Sequence, residues 1–244
     1  MIDYRIRLKL KTLFRIGEGM KKFTVNLIIL LGMLTQPVFA LGNNFDPIPP
    51  NVKLPAKYTN EYIEYIKDEY KDTGRSELIY VAIDMLKGTD GDFSRKALIG
   101  NNLSGYPVKI EFRDLSTLNK NYANFDAIGW KRKDKLCIYI NPKHRFAPPG
   151  ALAALLSHEA LHQDEYNSLS EETYAWTMEA AVWSEIVEMY PESNQLNSAL
   201  VQRENTLKQL FEKGGHTNQY IKKAVYANTG YQGLPLTSPG FQAL

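Results

Sequence analysis

Apolar and polar positions follow two periods along this chain, and the switches between them mark its elements. Tyr62, Ile63, Ile66 and Tyr70 recur every three to four residues, the spacing of one helix face, behind a capping Thr59 or Asn60 and ahead of Gly74. A second helix is expected to open at Ser76 and run through Leu86 to a stop at Gly88, and the Gly/Asn-rich passage up to Gly105 reads as loop with one short helix at most. From Val108 the period drops to two. Val108, Ile110 and Phe112 alternate with Lys109, Glu111 and Arg113, the pattern of a half-buried strand. Residues 125–130 and 136–140 flank the polar run Lys131-Arg132-Lys133-Asp134-Lys135 and predict a hairpin. Three later helices are predicted over residues 173–190, 195–213 and 217–227, stopped by Pro191, Gly214-Gly215 and Gly230, before an irregular tail from Tyr231. The expected class is α+β and mainly helical, with one domain over residues 59–244 and no internal repeat.

Between the hairpin and the later helices lies the stretch that changes the picture. Residues 152–164 read LAALLSHEALHQD, opened by Pro148-Pro149-Gly150, a proline being tolerated at a helix start. The residues from Ala151 to Leu156 carry no charge, so this helix is expected to be buried. A buried helix bearing His158, Glu159 and His162 is costly unless something satisfies those groups. Positions i and i+4 lie on one helix face about 5–6 Å apart, and two imidazoles so placed can hold one Zn²⁺ at about 2.0–2.1 Å each. Glu159 points beside such an ion, where a general base takes a proton from an attacking water. The bland alternative is a hydrogen-bonded core cluster of the same residues.

The segment His158-Glu159-x-x-His162, preceded by the strand over residues 136–140, resembles the core of the zincin metallopeptidases. The resemblance spans residues 135–178. It implies a peptidase in which the strand before the motif helix borders the substrate groove, placing Ile138, Tyr139 and Ile140 there; a plain core strand is the alternative for those side chains. Downstream, Glu172-x-x-Ala175 is similar to the gluzincin pattern, in which a glutamate on the following helix completes the site, so Glu172 is the expected third ligand. Glu171 is the alternative, although Ser168-x-x-Glu171 also reads as a capping box that would hold Glu171 at its own helix start. Two departures stand out: Trp176 replaces the Asp or Asn often found after the Ala, and only residues 163–171 separate His162 from Glu172, which requires a tight turn. Glu165 is excluded, since seven residues from His158 is about 10 Å along a helix axis. His216, Tyr220, Tyr226 and Tyr231 are candidates for steadying an oxyanion, and Asp164 and Asn167 for orienting an imidazole.

The first 40 residues read as a leader. Met20-Lys21-Lys22, an apolar run over residues 23–34 and a small-x-small pattern at Val38 and Ala40 form a secretory signal. Met20 is the expected true start, and residues 41–58, with four prolines, are expected to be an extended tether. The apolar run is too short and interrupted for a stable membrane span. This alters the charge. The leader holds seven of the 29 basic and two of the 27 acidic residues, leaving 22 against 25 and a net −3. Nothing then points to nucleic acid as a partner. The single Cys137 cannot form an internal disulfide and is expected to be a buried thiol. Together these features predict an exported protein, secreted or held in the periplasm or cell envelope, with Zn²⁺ as cofactor and a peptide or protein as substrate. The rivals are a non-catalytic secreted binding module and a structural zinc site closed by both Glu171 and Glu172.

Overall fold

A computed structural model of the chain describes residues 45–132 and 135–241; the leader and signal expected over residues 1–40 lie outside them. The described residues are mainly helical with one small sheet, an α+β arrangement. In chain order the elements are α1 (Asn60–Tyr70), α2 (Glu77–Met85), α3 (Asp92–Leu98), β1 (Lys109–Phe112), β2 (Ala127–Arg132), β3 (Lys135–Ile140), α4 (Pro149–Glu159), α5 (Leu169–Met189), α6 (Ala199–Lys213) and α7 (Gln219–Ala227). Among these residues no helix is long and apolar enough to cross a membrane.

The first helix forms as its pattern dictates. Thr59 caps α1 by accepting from the Tyr62 N–H, and Ile63, Ile66 and Tyr70 are buried on its inner face. α2 follows from Ser76 and is buried along its whole length. In its last turn the carboxylate of Asp84, fully buried, accepts hydrogen bonds from Tyr58, Tyr62 and Tyr70 and pairs with Lys57 and Lys87. Burial opposes its charge, but the bonds from Lys87 and Lys57 outweigh burial and hold its carboxyl below the usual range. Asp84→Asn should therefore cost about 1–3 kcal/mol of stability at neutral pH. Because the folded pKa is depressed, this contribution is present above the unfolded value near about 3.9 and is lost as pH falls through the folded one. Denaturant midpoints at pH 7 and pH 3 test this; a wild-type advantage undiminished at pH 3 would contradict it.

Two expectations fail here. The stretch before Thr59 is extended, but it is docked and no free tether. Asp46 exchanges backbone hydrogen bonds with the strand-like residues at Arg75 and Glu77, Phe45 packs edge-on to Tyr80, and Val52 and Tyr58 are buried. The apolar residues among the prolines are what seat it. Cys137 is half-buried, facing the side of β3 that the core does not fully cover.

The sheet has the order β1-β3-β2, with β1 parallel and β2 antiparallel to β3. The hairpin is as expected, its pairing running out to Arg132 opposite Lys135. β3 is thus the central strand, hydrogen-bonded on both sides, with Ile138, Tyr139 and Ile140 all buried. It has no free edge to offer a peptide, which corrects the groove expected at Ile138, Tyr139 and Ile140. β2 is the open edge nearer the motif.

α4, apolar on every face as far as Leu156, is buried throughout and packs against α2 and α5. Pro149 sits in its first turn. A Cβ at Gly150 would come within 2.8 Å of both Ile186 and Ser193, so only glycine allows α4 and α5 to approach this closely. α5 carries the opposing surface, with Ala175, Val182, Trp183 and Ile186 buried. A second, smaller apolar cluster joins α5 to α6 and α7 through Ala180, Leu207, Phe211, Ile221 and Val225. The tail after α7 is irregular, as expected, but returns to α5. Pro235 and Leu236 accept from the backbone N–H groups of Leu169 and Ser170, two of the donors a helix start leaves unpaired.

Candidate metal centre

α4 ends sooner than its sequence suggests. Regular helix stops at Glu159, and the chain tightens into bonds from Leu161 N to His158 O and from His162 N to Glu159 O. This i→i+3 turn, common at helix ends, carries His162 while starting the reversal that the short connection to α5 demands. The rings of His158 and His162 remain neighbours, with centroids 5.2 Å apart.

α5 brings the acids. Ser168 caps it by accepting from the Glu171 N–H, which is half of the expected capping box. The other half is absent, because Glu171 turns its side chain away from Ser168 N to accept from His162 Nδ1 at 2.9 Å. Glu172 points between the two imidazoles, with Oε2 3.6 Å from His158 Nε2 and Oε1 3.7 Å from His162 Nε2. One ligand atom from each of His158, His162 and Glu172 lies within 4.8 Å of the others. Of the two candidate third ligands, Glu172 faces the site and Glu171 braces His162 from behind.

Asn167 Nδ2 donates to Glu172 Oε1 at 2.6 Å, whereas Glu172 Oε2 is buried with no hydrogen-bond partner. Asn167 thus orients the carboxylate and not an imidazole. Asp164 accepts from Tyr166 N in its own turn, and the exposed Glu165 pairs with Lys131 across the cleft. The second imidazole is steadied by a residue that sequence reasoning missed. His158 Nδ1 lies 3.0 Å from Glu179 Oε2, and Glu179 is gripped at both oxygens by Arg203. The signal was present: Glu179 stands two helical turns after Glu172 on the same face, an acid within a buried apolar stripe. Arg203 also meets Asp126, which bonds His144, the first of the chain's four histidines.

The electrostatics follow from these contacts. For His162, burial opposes the charged form, but the bond to Glu171 and the charges of Glu172, Glu159 and Glu171 prevail and raise it to about 9. Glu159 is raised, chiefly by burial, against the pull of both histidines. Glu179 resists burial through the charge of Arg203 and its bond to His158, and falls to about 2.

A cleft of about 510 Å³ opens onto Glu159, His162 and Glu172, walled by β2 at Gly129 and Trp130 and by Tyr231. A Cβ on Gly129 would lie 3.2 Å from the His162 Cβ and 3.5 Å from the Glu159 carbonyl, so the strand rides directly on the motif. Of the oxyanion candidates, Tyr231 alone lines this cleft. Its hydroxyl accepts from Trp176 Nε1 at 3.0 Å, and burial together with the charge of Glu172 holds the phenol protonated, well above its usual range. Trp176, a departure in sequence, is here the support of that tyrosine. His216 packs on Phe211, Tyr220 meets Lys213 and Lys223, and Tyr226 is exposed beside Lys222. All three lie off the cleft, His216 in the turn before α7 and Tyr220 and Tyr226 on α7 itself.

No family model matches the chain, and no curated protein or solved structure matches it.

Proposed function

We propose that the protein is an exported zinc-dependent hydrolase of the zincin type, acting on peptide bonds, with His158, His162 and Glu172 as metal ligands. The observation that carries this is the Glu172 carboxylate facing two imidazole nitrogens, its buried Oε2 without a hydrogen-bond partner and 3.6 Å from His158 Nε2, its Oε1 3.7 Å from His162 Nε2. Donors of a tetrahedral zinc with bonds of about 2.0–2.2 Å stand about 3.3–3.6 Å apart. The separations of 3.6 and 3.7 Å are near that spacing and too long for hydrogen bonds. Each histidine has its Nδ1 held by a carboxylate, which leaves Nε2 as the ligand atom. Glu171 is occupied by His162 and Ser238. Three protein ligands therefore leave a fourth position open, which favours a catalytic site over a structural one.

A divalent ion held there would polarise a carbonyl and make a neighbouring water acidic. The chain's own residues supply the rest. The open edge of β2 offers backbone N–H and C=O groups to an extended peptide. Glu159, raised by burial, takes the proton of the attacking water and returns it to the leaving amine. Tyr231, held protonated and fixed by Trp176, donates to the oxyanion that develops on the scissile carbonyl. Tyr231→Phe should lower kcat about 10²–10³-fold with little change in KM; a rise in KM alone would make Tyr231 a binding residue.

Export rests on the signal pattern from Met20 to Ala40. The N-terminal sequence of the exported protein, expected near Leu41, tests it. The activity is tested by incubating the zinc-loaded protein with unfolded polypeptides and counting new N-termini. Release that stops with a chelator and returns with zinc supports the reading. Tight zinc binding with no release from any substrate would favour the non-catalytic module.

A further inference from the structure

The two carboxylates behind the imidazoles are anchored differently. Glu179 is clamped by the cation of Arg203, whereas Glu171 is anchored by hydroxyls. Glu171 Oε1 accepts from His162 Nδ1, and Oε2 accepts from Ser238 Oγ at 2.8 Å. Ser238 Oγ is also 2.9 Å from Ser168 Oγ, which itself accepts from the Glu171 backbone N–H at 3.1 Å. A carboxylate only accepts, so Ser238 must give its proton to Glu171, and Ser168 must then give its own to Ser238. The Glu171 N–H closes the ring onto Ser168. Every hydrogen in this ring has one direction, and such chains strengthen one another.

Ser238 reaches this position because the segment carrying it is tied down on both sides. Pro235 and Leu236 accept from the first two N–H groups of α5, Phe241 packs on Tyr174 with ring centroids 5.8 Å apart, and Ser238 and Phe241 bridge each other. Ser238 and Glu171 are both buried, so water does not stand in for the hydroxyl.

We propose that Ser238 is a positioning residue of the metal site, fixing Glu171 so that Glu171 aims His162 at the ion. This rests on the metal reading above. It makes the docked segment of residues 235–241, well beyond the histidines in sequence, part of what sets metal affinity.

The test is titration with Co²⁺ alone, followed by its ligand-field absorption, which reports affinity and tetrahedral geometry without any substrate. Ser238→Ala should weaken Co²⁺ binding about tenfold, the lower end of what an outer partner contributes, and Ser238→Thr, which keeps the hydroxyl, should restore it. In a Glu171→Ala background, Ser238→Ala should add no further loss, since there is then nothing to position. If Ser238→Ala does not fold, Ser238→Cys, a weak donor of similar size, carries the same comparison. Equal affinity in wild type and Ser238→Ala, or the same loss in both backgrounds, overturns the proposal while leaving the metal site standing. A wild-type protein that takes up no Co²⁺ overturns the metal reading and this one with it.

Discussion

Glu159→Gln should lower peptide hydrolysis by about 10²–10⁴-fold, the range a positioned proton-transfer group contributes, while bound zinc is unchanged. Glutamine keeps the size and polarity of the side chain but cannot accept a proton from water or return one to an amine. Glu159 is nearly fully buried, and burial raises its pKa, so the wild-type carboxylate is a stronger base than an exposed one. It lies against β2, where a Cβ on Gly129 would be 3.6 Å from its Oε2, and so flanks the path an extended peptide would take along that strand. The fold should survive, because Glu159 takes no part in the hydrogen-bonded rings behind the imidazoles. The check is kcat/KM beside zinc content for both proteins. Undiminished turnover with full zinc would remove Glu159 from the mechanism.

His162→Ala should abolish zinc binding at micromolar metal, a larger loss than the 10–100-fold expected from removing an outer partner. The loss should also appear in stability. A ligand at 100 times its Kd stabilises the folded state by about 2.7 kcal/mol, which raises Tm by roughly 5–10 °C in a protein of this size. Wild type should show that rise on adding zinc, and His162→Ala should not. The variant removes one nitrogen donor and leaves Glu172 facing His158 alone. A zinc-dependent rise that persists in His162→Ala would mean that the stabilising ion sits elsewhere.

Much of the helical framework was legible because helix faces repeat locally. The stripes at Ile63, Ile66 and Tyr70 and along α5 depend only on residues a few places apart. The sheet was half legible. Its hairpin is local, but the parallel pairing of β1 with β3 spans the long passage between them, and no local pattern announces it. That pairing put Ile138, Tyr139 and Ile140 in the core and moved the open edge to β2. The docked stretch before Thr59 was misread because its prolines suppress periodicity, although Val52 and Tyr58 still supply side chains to bury.

The candidate site divides in the same way. His158, Glu159 and His162 are visible in five consecutive residues, and Glu172 follows closely. The groups that hold them are more remote in sequence: Glu179 two turns further along α5, Arg203 on α6, Ser238 beyond α7. Their roles come from helix packing that no spacing rule encodes. Tyr231 was one aromatic among 15 tyrosines until Trp176 and the cleft gave it a place.

The central claim, that one ion is gripped between the end of α4 and the start of α5, is tested most directly by zinc K-edge X-ray absorption on the dialysed, zinc-loaded protein. The account predicts one zinc per chain with two imidazole nitrogens, carboxylate oxygen and one further light atom at about 2.0–2.2 Å. Protein that emerges from dialysis free of zinc, or zinc whose shell lacks the two imidazoles, would contradict it.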